Sequence, residues 1–151
     1  MEHFPNKAES FYREIRSIEI YNASDVSYID NFKGIFPNSN LCLYKFEIVP
    51  ETFSPKILTK TQNGNYFTDI DISFSLLDLS KDNIDKCYEY FNKKNFSIVL
   101  ISNIEKMLLG NEKEKLKVEF IDGKKNDASG SDECFISITG DTIISPKIKN
   151  L

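Results

Sequence analysis

The sequence predicts an α+β fold: a β-rich, mostly antiparallel sheet, sandwich-like or barrel-like, with one packed helix at about 81–94. Three observations predict it. From Tyr66 to Leu76 apolar and polar residues alternate with a period of two, the pattern of a half-buried strand. Asn63-Gly64 just before that run supplies the two left-handed residues that a type I′ hairpin turn needs. Ile84, Cys87, Tyr88 and Phe91 recur at i, i+3, i+4 and i+7, which makes one apolar stripe on a helix.

Each element can be justified in chain order. In "FYREIRSIEIY", Phe11, Ile15 and Ile18 fit a helical stripe, while Ile18 and Ile20 around Glu19 fit a strand; we read a strand from about Glu14 to Tyr21. "NASDVSYIDNFKGIFPNSN" mixes turn formers with scattered aromatics and reads as a long loop or arm. Residues 1–40 are thus an N-terminal arm or loop region carrying a first strand, and 41–151 a single β-rich domain. In "LCLYKFEIV", Cys42, Tyr44, Phe46 and Ile48 share one face of a strand and Lys45 and Glu47 the other. Pro50 and Pro55 bound a turn before the strand "KILTKTQ". After the hairpin, Tyr66, Thr68, Ile70, Ile72, Phe74 and Leu76 point one way and Asp69, Asp71, Ser73 and Ser75 the other, the strand continuing through "LLDLS".

Ser80 stands at the N-cap position of the helix, Asp82 and Asp85 open it and Lys93 and Lys94 close it, as the macrodipole favours. "FSIVLI" is apolar on both faces and so belongs in the middle of a sheet, under the helix. "KLKVEFIDG", with Leu116, Val118 and Phe120 inward, and "CFISITGDTII" supply two closing strands, separated by the surface loop "KKNDASGSD".

Composition narrows the function classes. The chain has 151 residues, enough for one domain with a real core. Asn, Ile and Lys make up 50 of them, a bias that reflects an AT-rich genome more than chemistry. The formal charge of −4, and only Arg13 and Arg16 as arginines, argue against a duplex nucleic acid as the main partner. Cys42, Cys87 and Cys134 are scattered, lack metal spacing and read as reduced core thiols. No basic stretch followed by an apolar run opens the sequence, and no apolar segment approaches the length of a membrane span, so a soluble protein of the cell interior is expected.

The residues offer few chemical sites. Asp69 and Asp71 lie on one face roughly 7 Å apart at Cβ, a spacing open to a hydrolase pair or a hard cation. Ser73 and Ser75 extend the same row, and no histidine or glycine-rich loop accompanies it, so a solvated or partner-facing surface is the better reading. The single histidine, His3, lies near the start of the chain, away from any triad partner. "LLGNEKEK" lacks the Lys-Ser/Thr ending of a phosphate loop, and Asp122-Gly123 reads as a turn. Lys113, Lys115 and Lys117, interleaved with Glu112, Glu114 and Glu119, read as a mixed, solvated face. No catalytic, cofactor or metal set is expected.

The order "KILTKTQNGNYFTDIDISFSL", a short helix, "FSIVLIS", the hinge "EKMLLGN" and closing strands ending "CFISITGDT" resembles small structural proteins of tailed bacteriophages and prophages of Bacteroidota hosts. The likeness runs from about Lys56 to Thr142, and residues 1–40 match nothing in it. It implies a non-enzymatic virion component of the neck or tail: a tail tube, terminator or head-to-tail ring protein. Such proteins join copies of themselves into rings beside neighbouring virion proteins, conduct DNA without sequence-specific contact and touch no membrane. On this reading the chain is assembled in the bacterial cytoplasm and resides in the virion, with Asp69, Asp71 and Asp78 on a lumen or interface face. The alternative class is a small acidic cytoplasmic binding protein of the immunity or inhibitor type.

Overall fold

A computed structural model describes residues 2–3, 14–76, 80–123 and 133–151. Strands dominate it, and all the pairings among them are antiparallel. They are β1 (Ile15–Asn22), β2 (Tyr44–Glu47), β3 (Ser54–Gln62), β4 (Asn65–Leu76), β5 (Lys93–Ser102), β6 (Glu105–Leu109), β7 (Leu116–Gly123), β8 (Glu133–Thr142) and β9 (Lys147–Asn150). Two α-helices accompany them, α1 (Tyr28–Lys33) and the longer α2 (Lys81–Tyr90). The strand order is β2-β1-β5-β7-β8-β4-β3, with β6 paired to β5 and β9 to β6.

The sheet curls into a half-barrel. Phe46 on β2 and Phe74 on β4, far apart in the strand order, stand 5.6 Å apart between ring centroids, so the sheet bends its two ends towards each other. Inside the curl lies the main core, where Ile18, Ile20, Ile70, Ile72, Ile98, Leu116, Ile136 and Ile138 are fully buried. Burial of this order, at about 25 cal/mol per Å² of apolar surface, is what holds the sheet curled. The alternation read from Tyr66 to Leu76 holds over Thr68–Phe74, where Thr68, Ile70, Ile72 and Phe74 are buried and Asp71 is exposed; Tyr66, beside the turn, is instead exposed and Leu76 only partly buried. Asn63 and Gly64 both take positive φ, 51° and 80°, as the type I′ turn requires. The apolar run of β5 lies in the middle of the sheet, as its composition predicts.

The packed helix is shorter than expected. It ends at Tyr90, and Lys93 and Lys94 open β5 instead of closing the helix. Asn92 causes the stop: it adopts the left-handed conformation at φ 71°, its N–H donates to Val118 O at 2.6 Å, and its Oδ1 accepts from the Phe120 N–H. Ile84, Cys87 and Phe91 are buried as the stripe predicts, whereas Tyr88 is half exposed, its ring set edge-on against Phe120.

The long loop expected over 22–40 is also corrected. Ser27 caps α1 by accepting from the Asp30 N–H at 3.0 Å, Gly34 ends it at φ 77°, and short 3-10 turns flank it at Ala23–Asp25 and Ser39–Leu41. A second, smaller core of Tyr21, Val26, Val99 and Leu108 forms beneath this segment, on the convex side of the sheet. The strand expected over 41–49 holds only across Tyr44–Glu47, with its two faces as read. The continuation through 77–79, which includes Asp78, and the loop 124–132 fall outside the described residues.

β6 and β7 are two halves of one line. Both pair with the same edge of β5, β6 at Ile98–Ile101 and β7 at Lys93–Phe96, and residues 110–115 loop out between them. β9 and β8 follow the same plan one step further out.

Candidate functional site

The aspartate row of β4 lies on the convex face. Asp69 stands opposite Leu58 on β3 and Asp141 on β8; Asp71 stands opposite Lys56 and Thr139. Lys60 Nζ reaches Asp69 Oδ2 at 2.6 Å. The carboxylate that Asp69 meets is therefore Asp141, which the sequence reading did not single out, and not Asp71. The signal was present: Asp141 continues the alternation of Phe135, Ser137 and Thr139.

Electrostatics divide the pair. The hydrogen bond from Lys60 holds Asp69 below the ordinary carboxylate pKa. Asp141 moves the other way, raised first by burial and then by the Asp69 charge. Hydrogen bonding and charge with Asp69 raise Lys60 in turn. Among the described residues no group of three His, Cys, Asp or Glu side chains could hold a metal ion. The row is thus a hydrogen-bonded polar surface crossing from β3 to β8.

Cys42, Cys87 and Cys134 form no disulfide, and the Cys134 thiol donates to Asp122 Oδ1 at 3.7 Å. Burial pushes Cys87 up to about 11, which keeps it protonated at neutral pH. Asp122-Gly123 is not a turn but the end of β7, where Asp122 accepts from the Tyr88 hydroxyl at 2.7 Å. The mixed lysine–glutamate face is corrected at Glu114. Its carboxylate turns back to accept from the backbone N–H groups of Ile143 and Ile144 and from the Asn111 side chain. Lys117 and Glu119 do form a surface ion pair, at 2.7 Å.

Besides a hollow of about 440 Å³ between Phe67, Lys94, Lys113 and Asp141, the two ends of the strand order offer places where something can dock. The first is a cleft of about 440 Å³ at the seam of the half-barrel, walled by residues 44–49, by Ser75 and Leu76 of β4, and by Asn83, Lys86 and Cys87 of α2. β2 lines it with an edge that pairs with no strand on that side among the described residues. The second is the opposite edge of the sheet, the nine residues of β3. Its ladder with β4 closes at Gln62–Asn65 beside the two-residue turn, and hydrogen-bonded and non-hydrogen-bonded pairs alternate from there. Pro55, Ile57, Thr59 and Thr61 consequently turn their backbone groups outward, and Pro55 has no N–H to present.

No protein-family model, curated protein or solved structure matches the chain. Among the described residues no helix is long and apolar enough to cross a membrane.

Proposed function

We propose that the chain is a non-enzymatic structural protein of a tailed-bacteriophage virion, a ring- or tube-forming component of the neck or tail. One observation carries this reading: among the described residues, β2 and β3 end the strand order of one antiparallel sheet with open edges. If β3 of one copy pairs with β2 of the next, the contact is head-to-tail, and a head-to-tail contact closes a ring when the rotation between copies permits. The curled sheet then serves as a barrel-like wall segment that neighbouring copies extend. Asp71, exposed, and Asp69, half-buried, belong to an interface or lumen face of that wall. A formal charge of −4 suits a surface past which DNA must move without sticking. The partners are then copies of the chain itself and the neighbouring virion proteins.

Mass spectrometry of purified phage or induced-prophage particles from the source tests this reading. The chain is expected in several copies per particle. Its absence from clean particles would overturn the virion role and favour a small acidic binding protein of the immunity or inhibitor type, to be followed by a pull-down of its target.

A further inference from the structure

The convex side of the sheet carries a surface unlike the rest of the chain. Ile29, Phe32 and Ile35, on and just after α1, are 63%, 66% and 51% exposed. Lysines surround them. Lys147 Nζ sits over the Phe32 ring at 5.5 Å, Lys149 over Phe36 at 5.9 Å and Lys113 over Tyr28 at 5.1 Å. Lys106 stands directly across the strand pair from Lys149, an arrangement of like charges that costs stability unless an anion relieves it. Among the described residues none of these four lysines has a carboxylate partner within ion-pair distance. Lysines thus ring an apolar centre, with Asp30 on α1 and Glu112, which accepts from the Tyr28 N–H, as the acidic groups beside them.

The complementary surface is on the same chain. Asp82, Asp85 and Glu89 recur at i, i+3 and i+7 along α2 and are all exposed, flanked on the same helix by the exposed Lys81 and Lys86. Ile84 and Cys87 bury the opposite side of that helix, so the acidic stripe points away from the core. The two surfaces cannot meet within one molecule. α2 packs into the core inside the curl with Ile98 and Leu100, whereas α1 lies over the convex-side cluster that holds Val99 and Leu108. Alternate residues of β5 point to opposite faces of the sheet.

We propose that the α1 surface docks a second copy of this chain, its lysines meeting the acidic stripe of the neighbour's α2 and Ile29, Phe32 and Ile35 forming the buried centre. Because the two surfaces are different and face opposite ways, the contact is head-to-tail and propagates. It deepens the reading of the chain as a self-assembling subunit, and rests on that reading. Edge pairing would extend the sheet sideways, whereas this contact joins copies across its faces, in the direction that stacks one layer on the next.

Sedimentation of the purified full chain tests it. Wild type should self-associate with rising concentration and dissociate between about 0.05 M and about 1 M salt, where the screening length falls to about 3 Å. Lys147→Glu with Lys149→Glu should weaken association about tenfold or more, and Asp85→Lys with Glu89→Lys should do the same, because each places like charges face to face. An equimolar mixture of the two variants should associate again, since each then offers the surface that the other lacks. That rescue separates a lost contact from a misfolded chain. A wild type that remains monomeric, variants that associate as wild type does, or a mixture that fails to recover would each overturn the contact. Lysine-dependent binding of phosphatidylserine vesicles without the mixture rescue would assign the surface to a lipid and overturn it equally. The virion role is judged separately by particle composition, and stands if the chain is found in particles while the charge swap has no effect.

Discussion

Single residues decide how the convex face behaves with pH and how tightly the sheet packs. Asp141 has a pKa raised by burial and by Asp69, so its contribution to stability is fully present below the unfolded carboxylate value. That contribution is lost as the pH rises through the folded value. At pH 7 the ionised group therefore works against the fold, whereas Asp69, lowered by Lys60, works for it until the pH falls through its own depressed value. Asp141→Asn keeps a hydrogen-bond donor for Asp69 and removes the charge. It should raise Tm at pH 7, and the gain should vanish in acid once the wild-type Asp141 is protonated. A lower Tm at pH 7 would mean that the Asp141 charge supports the fold. Packing sets the second case. A Cβ at Gly140 would lie 2.7 Å from Leu116 Cδ2, and Leu116 is fully buried. Gly140→Ala should cost about 1–3 kcal/mol in denaturant unfolding, the usual range for overpacking a filled core. Gly140 also has φ 159°, so a near-neutral result would show both that Leu116 can move aside and that the backbone there accepts a side chain.

At the scale of elements, the excursion 110–115 organises what the flanking strands cannot. Ser97 Oγ donates to Leu109 O and Gly110 O where the β6–β7 line breaks, and Asn31 Nδ2 donates to Gly110 O from α1. Glu112 pins the segment before α1 twice, its N–H donating to Val26 O and its carboxylate accepting from the Tyr28 N–H. Glu114 holds the turn between β8 and β9 through the N–H groups of Ile143 and Ile144. Glu114→Ala should cost about 1.5–3 kcal/mol, the worth of hydrogen bonds to a charged group, and hydrogen exchange should rise first at Ile143 and Ile144. Unchanged protection there would assign the turn to packing alone. Much of the element order was legible because it is written locally: the Asn63-Gly64 turn, the alternation of β4 and the stripe of α2 are each contained within a dozen residues. The Ser27 cap and Gly34 stop of α1 are local signals too, but among turn formers and scattered aromatics they read as a loop. The β6–β7 line was not, because "MLLGNEKEKLKV" shows its unity only through a shared pairing with β5. The Asp69–Asp141 contact was hidden for the same reason, being set by a register between strands some seventy residues apart.

At the scale of the whole molecule, the terminal strands β2 and β3 leave open edges among the described residues, as does the short β9, and any self-assembly along the sheet depends on whether such edges are sealed or used. The β2 end is short and opens into the seam cleft; the β3 end is long and carries Pro55 and two lysines, Lys56 and Lys60, devices that discourage indiscriminate strand addition. A guarded edge that still leaves Ile57, Thr59 and Thr61 facing outward is consistent with one chosen partner. Thr59 allows that to be tested without breaking the subunit. Its backbone N–H faces away from β4, so Thr59→Pro removes a donor from the open edge and leaves the ladder to β4 with all its bonds. The variant should unfold within about 1 kcal/mol of wild type, as proline at an edge position allows. If copies join β3 to β2, wild type should form rings or tubes by electron microscopy and the variant should fail to form them. Proline substituted one position away, at Leu58, interrupts a ladder bond and should instead destabilise the β3–β4 hairpin itself. If Thr59→Pro assembled as wild type does while Leu58→Pro unfolded early, the β3 edge would be a finished surface, and the copies would have to meet elsewhere, through their faces or the β9 edge.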